Sequence, residues 1–187
     1  MPTPVGHALG GAIIASFIKK RRSKNWLVFA LVLFFAELPD IDFMFGLIEG
    51  DANKYHHQFT HSFVFVFWAA LLGAAIINKF GIMQFSKSFV LFSVAGTSHL
   101  IFDLLALDTS EPFGAPVFWP FWNGFIISPV TIFSDVHRSS SASAFFPSLF
   151  SFHNLKTVLI EVLVLGPVWL FVWAGKIYKE KKQNASA

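Results

Sequence analysis

A chain of 187 residues with 55% hydrophobic and 13% charged side chains, 25 phenylalanines and a mean hydropathy of +0.60 lies outside the class of soluble domains, in which roughly a quarter of residues are charged. The length suits one integral membrane domain, residues 1–187. The absence of cysteine excludes disulfides and thiolate metal ligands.

The chain opens on "MPTPVGHALGGAIIASFIKKRRSK". Its charges follow the apolar run, the reverse of a secretory signal, so the segment is expected to be retained. Five apolar segments can be drawn, at 5–18, 25–38, 62–78, 89–107 and 155–175. The last two match the roughly 20 residues that cross a hydrocarbon core of about 30 Å. The first two are short, which suits tilting or packing inside a bundle. Residues 117–133, "VFWPFWNGFIISPVTIF", are broken by Pro120, Asn123, Gly124 and Pro129, and their aromatics suit the membrane–water interface. Residues 134–152 are rich in serine and read as a mobile loop. The expected fold is all-α, a polytopic membrane bundle of four to five transmembrane helices, with polar chemistry concentrated in residues 1–122.

Lysine and arginine fix an orientation. With five spans, "KKRRSK", Lys79, Lys87 and "GKIYKEKK" fall on one side, eleven of the fourteen basic residues; Lys54, Arg138 and Lys156 fall on the other. The N-terminus is then outside and the C-terminus cytoplasmic. As topology anchors these residues account for the net charge of +3, and no nucleic-acid partner is called for.

The remaining polar residues converge on that topology. His7 opens the first segment, and Asp40 and Asp42 of "ELPDIDF" follow the second. His56, His57 and His61 of "HHQFTHS" precede the third, while His99 and Asp103 of "GTSHLIFD" occupy the outward half of the fourth. All reach the outer leaflet. On a helix, residues i and i+4 share a face, so His99 and Asp103 point together, and ionisable groups at membrane depth mark functional sites. Each motif also has a plain structural reading. "H-x-x-x-D" makes a hydrogen-bonded pair, "PDID" ends one helix and caps the next, and "THS" serves as an N-cap. Imidazole with carboxylate is nevertheless the donor set of zinc, manganese and iron sites, and one cation partners several buried polar groups together. Glu161, alone in the last segment, reads as a structural hydrogen-bonding or bundle-facing acid.

A short Gly-His start, "PDID", "H-x-x-x-T-H-S", "G-x-x-S-H-x-x-x-D" and "G-x-P-x-x-W-P", in that order over residues 1–122, resemble the YdjM-like family of LexA-binding, inner-membrane-associated metal-dependent hydrolases. The resemblance implies His7, Asp40, Asp42, His56, His61, His99 and Asp103 as the polar site and the inner (plasma) membrane as the location. The order of histidines and aspartates is also distantly similar to zinc-dependent phospholipase C. There are departures. His57 stands where the family usually has an arginine, and Thr109 or Asp108 falls out of register with the family's threonine. The later His/His/Glu set of a multi-zinc phospholipase has only His137, His153 and Glu111 as candidates by proximity.

The reading is a membrane-bound hydrolase acting on a lipid or another phosphoester or ester near the outer leaflet, with one or two divalent ions, zinc foremost. His61, His99 and Asp103 are the core ligands, and His7 and Asp40 complete them or hold a second ion. Asp40, Asp42 and His56 are the candidate catalytic residues, the last two orienting water or supporting a ligand. His57 is expected to matter less to the metal, on the ground that successive helical residues point about 100° apart. Residues 117–125 are expected to flank the substrate. The alternatives are a metal- or proton-coupled transporter, which wants polar residues on both halves of its path, and a non-enzymatic protein with a structural metal.

Overall fold

The structure, a computed structural model, describes residues 1–18 and 25–185, so the basic run at 19–24 lies outside the described residues. Among the described residues the chain is helical and has no strand. Its helices are α1 (Pro4–Ala15), α2 (Asn25–Glu37), α3 (Asp42–Glu49), α4 (Phe63–Lys79), α5 (Phe85–Leu104), α6 (Ala142–Leu149) and α7 (Phe152–Ala185), with single 3-10 turns at Leu38–Ile41 and Phe59–His61. Two helices are long and apolar enough to cross a membrane, α5 and α7, the latter over Phe152–Gln183.

Local sequence sets the helix starts. Pro4 occupies the first position of α1, and Thr3 caps it by accepting from the Val5 amide at 3.2 Å. Ser62 caps α4 in the same way, accepting from the Phe65 amide at 3.1 Å. The cap turns the chain immediately after His61, so "THS" is both a cap and a way of aiming a histidine.

α1 packs on α2, α5 and α7, while α5 also packs on α2 and α4. Small residues let α1 come close. A Cβ on Gly10 would stand 2.6 Å from the Phe102 ring, and one on Gly11 would stand 3.1 Å from Ala36 Cβ, so both positions require glycine for this approach. The main apolar core, including Val32, Phe35, Ala70 and Phe92, lies between α2, α4 and α5. Phe35 and Phe92 stack with centroids 4.2 Å apart. Glu161 of α7 reaches the start of α1, where it accepts from the Thr3 amide at 2.6 Å and from the Thr3 hydroxyl. The structural role expected for Glu161 is the one observed.

The serine-rich segment 134–152 is not the loose loop its composition implies. Ala142–Leu149 is helical. The preceding strip is tied down by Ala52 N–H to Ser140 O at 2.7 Å, Ser139 N–H to Ser148 Oγ at 2.8 Å and His137 N–H to Asn154 Oδ1 at 2.8 Å. Serine here satisfies backbone groups that water would otherwise serve.

A candidate metal centre

The end of α2, the start of α4 and the end of α5 bring four donor atoms together. His61 Nε2 lies 3.4 Å from Asp40 Oδ1 and 3.4 Å from Asp103 Oδ2. His99 Nε2 lies 3.1 Å from Asp103 Oδ2, 3.6 Å from Asp40 Oδ1 and 3.4 Å from His61 Nε2. Zinc–ligand distances of about 2.0–2.1 Å put the donors of a tetrahedral site about 3.3 Å apart. Two imidazoles sharing such an ion have ring centroids about 5 Å apart, and those of His61 and His99 are 5.3 Å apart. His61, His99 and Asp103 have the spacing to share one divalent ion, and Asp40 Oδ1 lies against both imidazoles.

Their supports fit as well. His99 Nδ1 lies 2.7 Å from the Ala36 carbonyl oxygen, which only accepts, so Nδ1 carries the proton and Nε2 offers its lone pair. That carbonyl is free because α2 ends beside it. His61 Nδ1 faces Asp42 Oδ2 at 3.1 Å, a carboxylate–histidine pair of the kind that orients metal ligands. Asp42 Oδ2 also accepts from Thr60 Oγ1 at 2.9 Å, and Asp42 Oδ1 faces His56 Nδ1 at 3.2 Å. Asp42 thus stands behind two imidazoles and caps no helix. His56 in turn stacks on Phe43, centroids 4.1 Å apart.

Several buried atoms here have no hydrogen-bond partner: both ring nitrogens of His7, Asp40 Oδ1, both Asp103 oxygens, His56 Nε2 and His57 Nε2. Such atoms are costly unless paired, and those of Asp40 and Asp103 face lone pairs of histidine. A cation removes that conflict.

His7 joins this cluster from α1, with a ring nitrogen within 4.8 Å of donor atoms of Asp40 and His99. Its ring stacks on His99 with centroids 3.8 Å apart, closer than two ligands of one tetrahedral ion, and its Nε2 lies 3.4 Å from Asp103 Oδ1. Asp103 therefore faces His61 and His99 with one oxygen and His7 with the other. His57 lies closer in than expected. It precedes α4 in a turn with φ +58°, so helical divergence does not apply. It is buried, with its ring centroid 4.2 Å from that of His56 and 4.8 Å from that of His61.

The proximity candidates do not join the centre. Asp135 faces His153 Nε2 at 3.0 Å and His137 Nε2 at 3.4 Å, but the two rings lie face to face with centroids 3.6 Å apart. They would have to rotate to share an ion. Thr109 donates to Asp135 in that second group, Asp108 accepts from the Gly114 amide, and Glu111 is exposed.

A cavity of about 320 Å³ borders Asp40. Phe34, Leu38, Phe43, Phe145 and Leu149 supply apolar walls, and Glu37 and Arg138 are its other charged groups. Residues 117–125 do not line this cavity. They pack instead against α4, with the Phe63 amide donating to Val117 O at 2.9 Å. Glu37 and Arg138 are the site residues that sequence motifs passed over, and Thr60 entered them only as part of "H-x-x-x-T-H-S". Of these, Glu37 carried a signal, an acid directly before "LPD" at the end of an apolar run.

A family profile described as YdjM inner membrane protein matches residues 1–180. The chain belongs to the YdjM family. No curated protein and no solved structure matches it, so the more distant similarity to phospholipase C stands unsupported. Membership places this YdjM protein among inner membrane proteins.

Charge in the loops of this YdjM protein follows the geometry. Burial opposes ionisation of Asp40 and Asp42, but the imidazoles around them hold both carboxyls below their ordinary range. Burial also opposes protonation of His61, yet hydrogen bonds to Asp40 and Asp42 raise its pKa to about 9. Burial takes His56 down to about 4. Without metal, a proton on His61 thus bridges the carboxylates at neutral pH. Because the folded pKa exceeds the ordinary 6.5, that contribution is complete below pH 6.5 and is lost as pH rises through 9. Metal-free protein in detergent should lose on the order of 3 kcal/mol between pH 6.5 and pH 10, whereas zinc-loaded protein should not. Thermal unfolding across that range checks this, and a metal-free protein that gains stability as pH rises contradicts it.

Proposed function

We propose that this protein is a membrane-embedded, metal-dependent hydrolase acting on a lipid or another phosphoester or ester at the outer face of the inner membrane. The observation that carries the reading is the convergence of His61, His99 and Asp103, with Asp40 against both imidazoles and unpartnered buried oxygens beside a cavity. His61, His99 and Asp103 would hold the ion, zinc by the donor set, which leaves a position open, and His7 would meet a second one across Asp103. A divalent ion there supplies Lewis acidity and makes water a better nucleophile at neutral pH. Asp42 fixes the tautomer and direction of His61. Asp40, at the cavity edge, orients water. Proton exchange with the cavity falls to Glu37, which lines it with a buried unpartnered oxygen, and His56 supports Asp42.

The orientation is read on five crossings, by α1, α2, α4, α5 and α7, of which α5 and α7 have the length and apolarity to span. Glu161 meets Thr3 and Lys176 meets the Ile18 carbonyl, so α1 and α7 run parallel, as first and fifth spans must. Lys79 and Lys87 lie where α4 ends and α5 begins, at the end of the bundle away from the metal ligands. A reporter after Lys87 should read cytoplasmic and one within 134–152 external. A cytoplasmic signal from 134–152 would reverse the orientation and the side of the site.

The function itself is tested by offering lipid phosphoesters and aryl esters to reconstituted, zinc-loaded protein. Turnover should be present and should vanish with chelator. Chelator-insensitive turnover excludes this chemistry, and zinc-loaded protein inactive on both classes leaves the metal a structural role.

A further inference from the structure

Arg138 is a cation without an anion. Its Nε donates to Asn53 Oδ1 at 2.8 Å, and its guanidinium lies over the Phe43 ring, 5.2 Å from the centroid. No carboxylate lies within ion-pair distance of it among the described residues. The guanidinium is thus held in place by one edge and one face, leaving donors unused on a half-buried group. Fixed in this way, the planar fork suits an oxyanion, above all the several oxygens of a phosphate. It borders the same cavity as Asp40 of the metal centre. Apart from Glu37, the wall is largely apolar, with Phe34, Leu38, Phe43 and, from α6, Phe145, Phe146 and Leu149. Phe146 and Phe150 are largely exposed, so α6 continues this wall toward lipid.

An ester with no charge leaves Arg138 unpaired, and a free phosphate leaves the apolar walls empty. We propose that the cavity binds a phosphoester carrying a hydrocarbon chain, with Arg138 holding the phosphate beside Asp40 and α6 covering the chain. This deepens the hydrolytic reading, on which it rests, by naming the substrate class. Glu37 also lines the cavity.

The test is binding to zinc-loaded protein in neutral detergent, read apart from turnover. The probes are a short-chain phosphatidic acid, the corresponding diacylglycerol, the corresponding fatty acid and inorganic phosphate. Phosphatidic acid should bind tightest. Arg138→Gln should weaken it by about tenfold or more, with Arg138→Lys between, while diacylglycerol binding stays unchanged. Leu149→Trp, which fills the apolar end, should weaken phosphatidic acid and spare inorganic phosphate. It also stands as the independent test if Arg138→Gln loses its zinc and so does not report. Equal binding of phosphatidic acid and diacylglycerol, an unaltered zinc-replete Arg138→Gln, or a fatty acid that binds as well as phosphatidic acid overturns the proposal. So does a Leu149→Trp protein that binds phosphatidic acid normally. Arg138-dependent binding without any turnover would sink the hydrolytic reading and keep this cavity assignment. Turnover that is indifferent to Arg138 would do the reverse.

Discussion

Replacing His61 or His99 with alanine should leave the purified protein unable to retain zinc through a wash that wild type survives. Each ring supplies one donor to the His61, His99 and Asp103 set, and the other nitrogen of each is already committed, to Asp42 in one case and to the Ala36 carbonyl in the other. Neither ring can be replaced by a neighbour without breaking that support. The loss should exceed the 10- to 100-fold typical of groups that only orient a ligand. His7→Ala should be milder, or should remove a second ion alone, because its ring stacks on His99 and meets only the far oxygen of Asp103. Elemental analysis of the variants, with circular dichroism to show retained helicity, decides this. A His7 variant that loses all zinc while the His61 variant keeps it would mean that the centre lies elsewhere in the cluster.

Asp40→Asn and Asp42→Asn should fail in different ways, although two residues separate them. Asp42 touches His61, His56 and Thr60. Its amide variant sets an N–H against one imidazole donor, so zinc affinity should fall about 10- to 100-fold and excess zinc should restore turnover. Asp40 faces the donor set with Oδ1 and borders the cavity. Asparagine there leaves three ligands but no carboxylate beside the water, and turnover should drop about 10²–10⁴-fold with no rescue by zinc. Activity against zinc concentration for both variants makes the comparison. Rescue of Asp40→Asn with no rescue of Asp42→Asn would exchange their roles.

The residues of this centre were legible because hydrophobic runs fix where a helix ends, and His7, Asp40, His61, His99 and Asp103 all sit at ends on one side. What stayed hidden depends on contacts distant in sequence or on short elements. α3 and α6 have eight residues each, too few for periodicity to stand out, and α6 contains Pro147 among serines that read as a loop. Arg138 finds Asn53 across 85 positions, and no local pattern announces such a pairing. His57 misled for a related reason. Its spacing suits a helix, but its positive φ places it in a turn, which folds the ring back toward His56 and His61. The division of labour between Asp40 and Asp42 was equally invisible, since i and i+2 are equivalent until the backbone bends between them.

The bond between Glu161 and Thr3 joins residues 158 positions apart. Thr3 starts the helix that presents His7, whereas Glu161 belongs to the last helix of the chain. During biosynthesis the parts holding His61, His99 and Asp103 emerge and pack first, with α1 already present but not yet held at its outer end. Only when α7 has been inserted does the first helix gain its anchor. The order of translation therefore runs opposite to the order of completion, and a nascent chain stalled before α7 would carry most of the metal-binding groups with His7 still unfastened. The last helix of the chain thereby fixes the place of its first histidine.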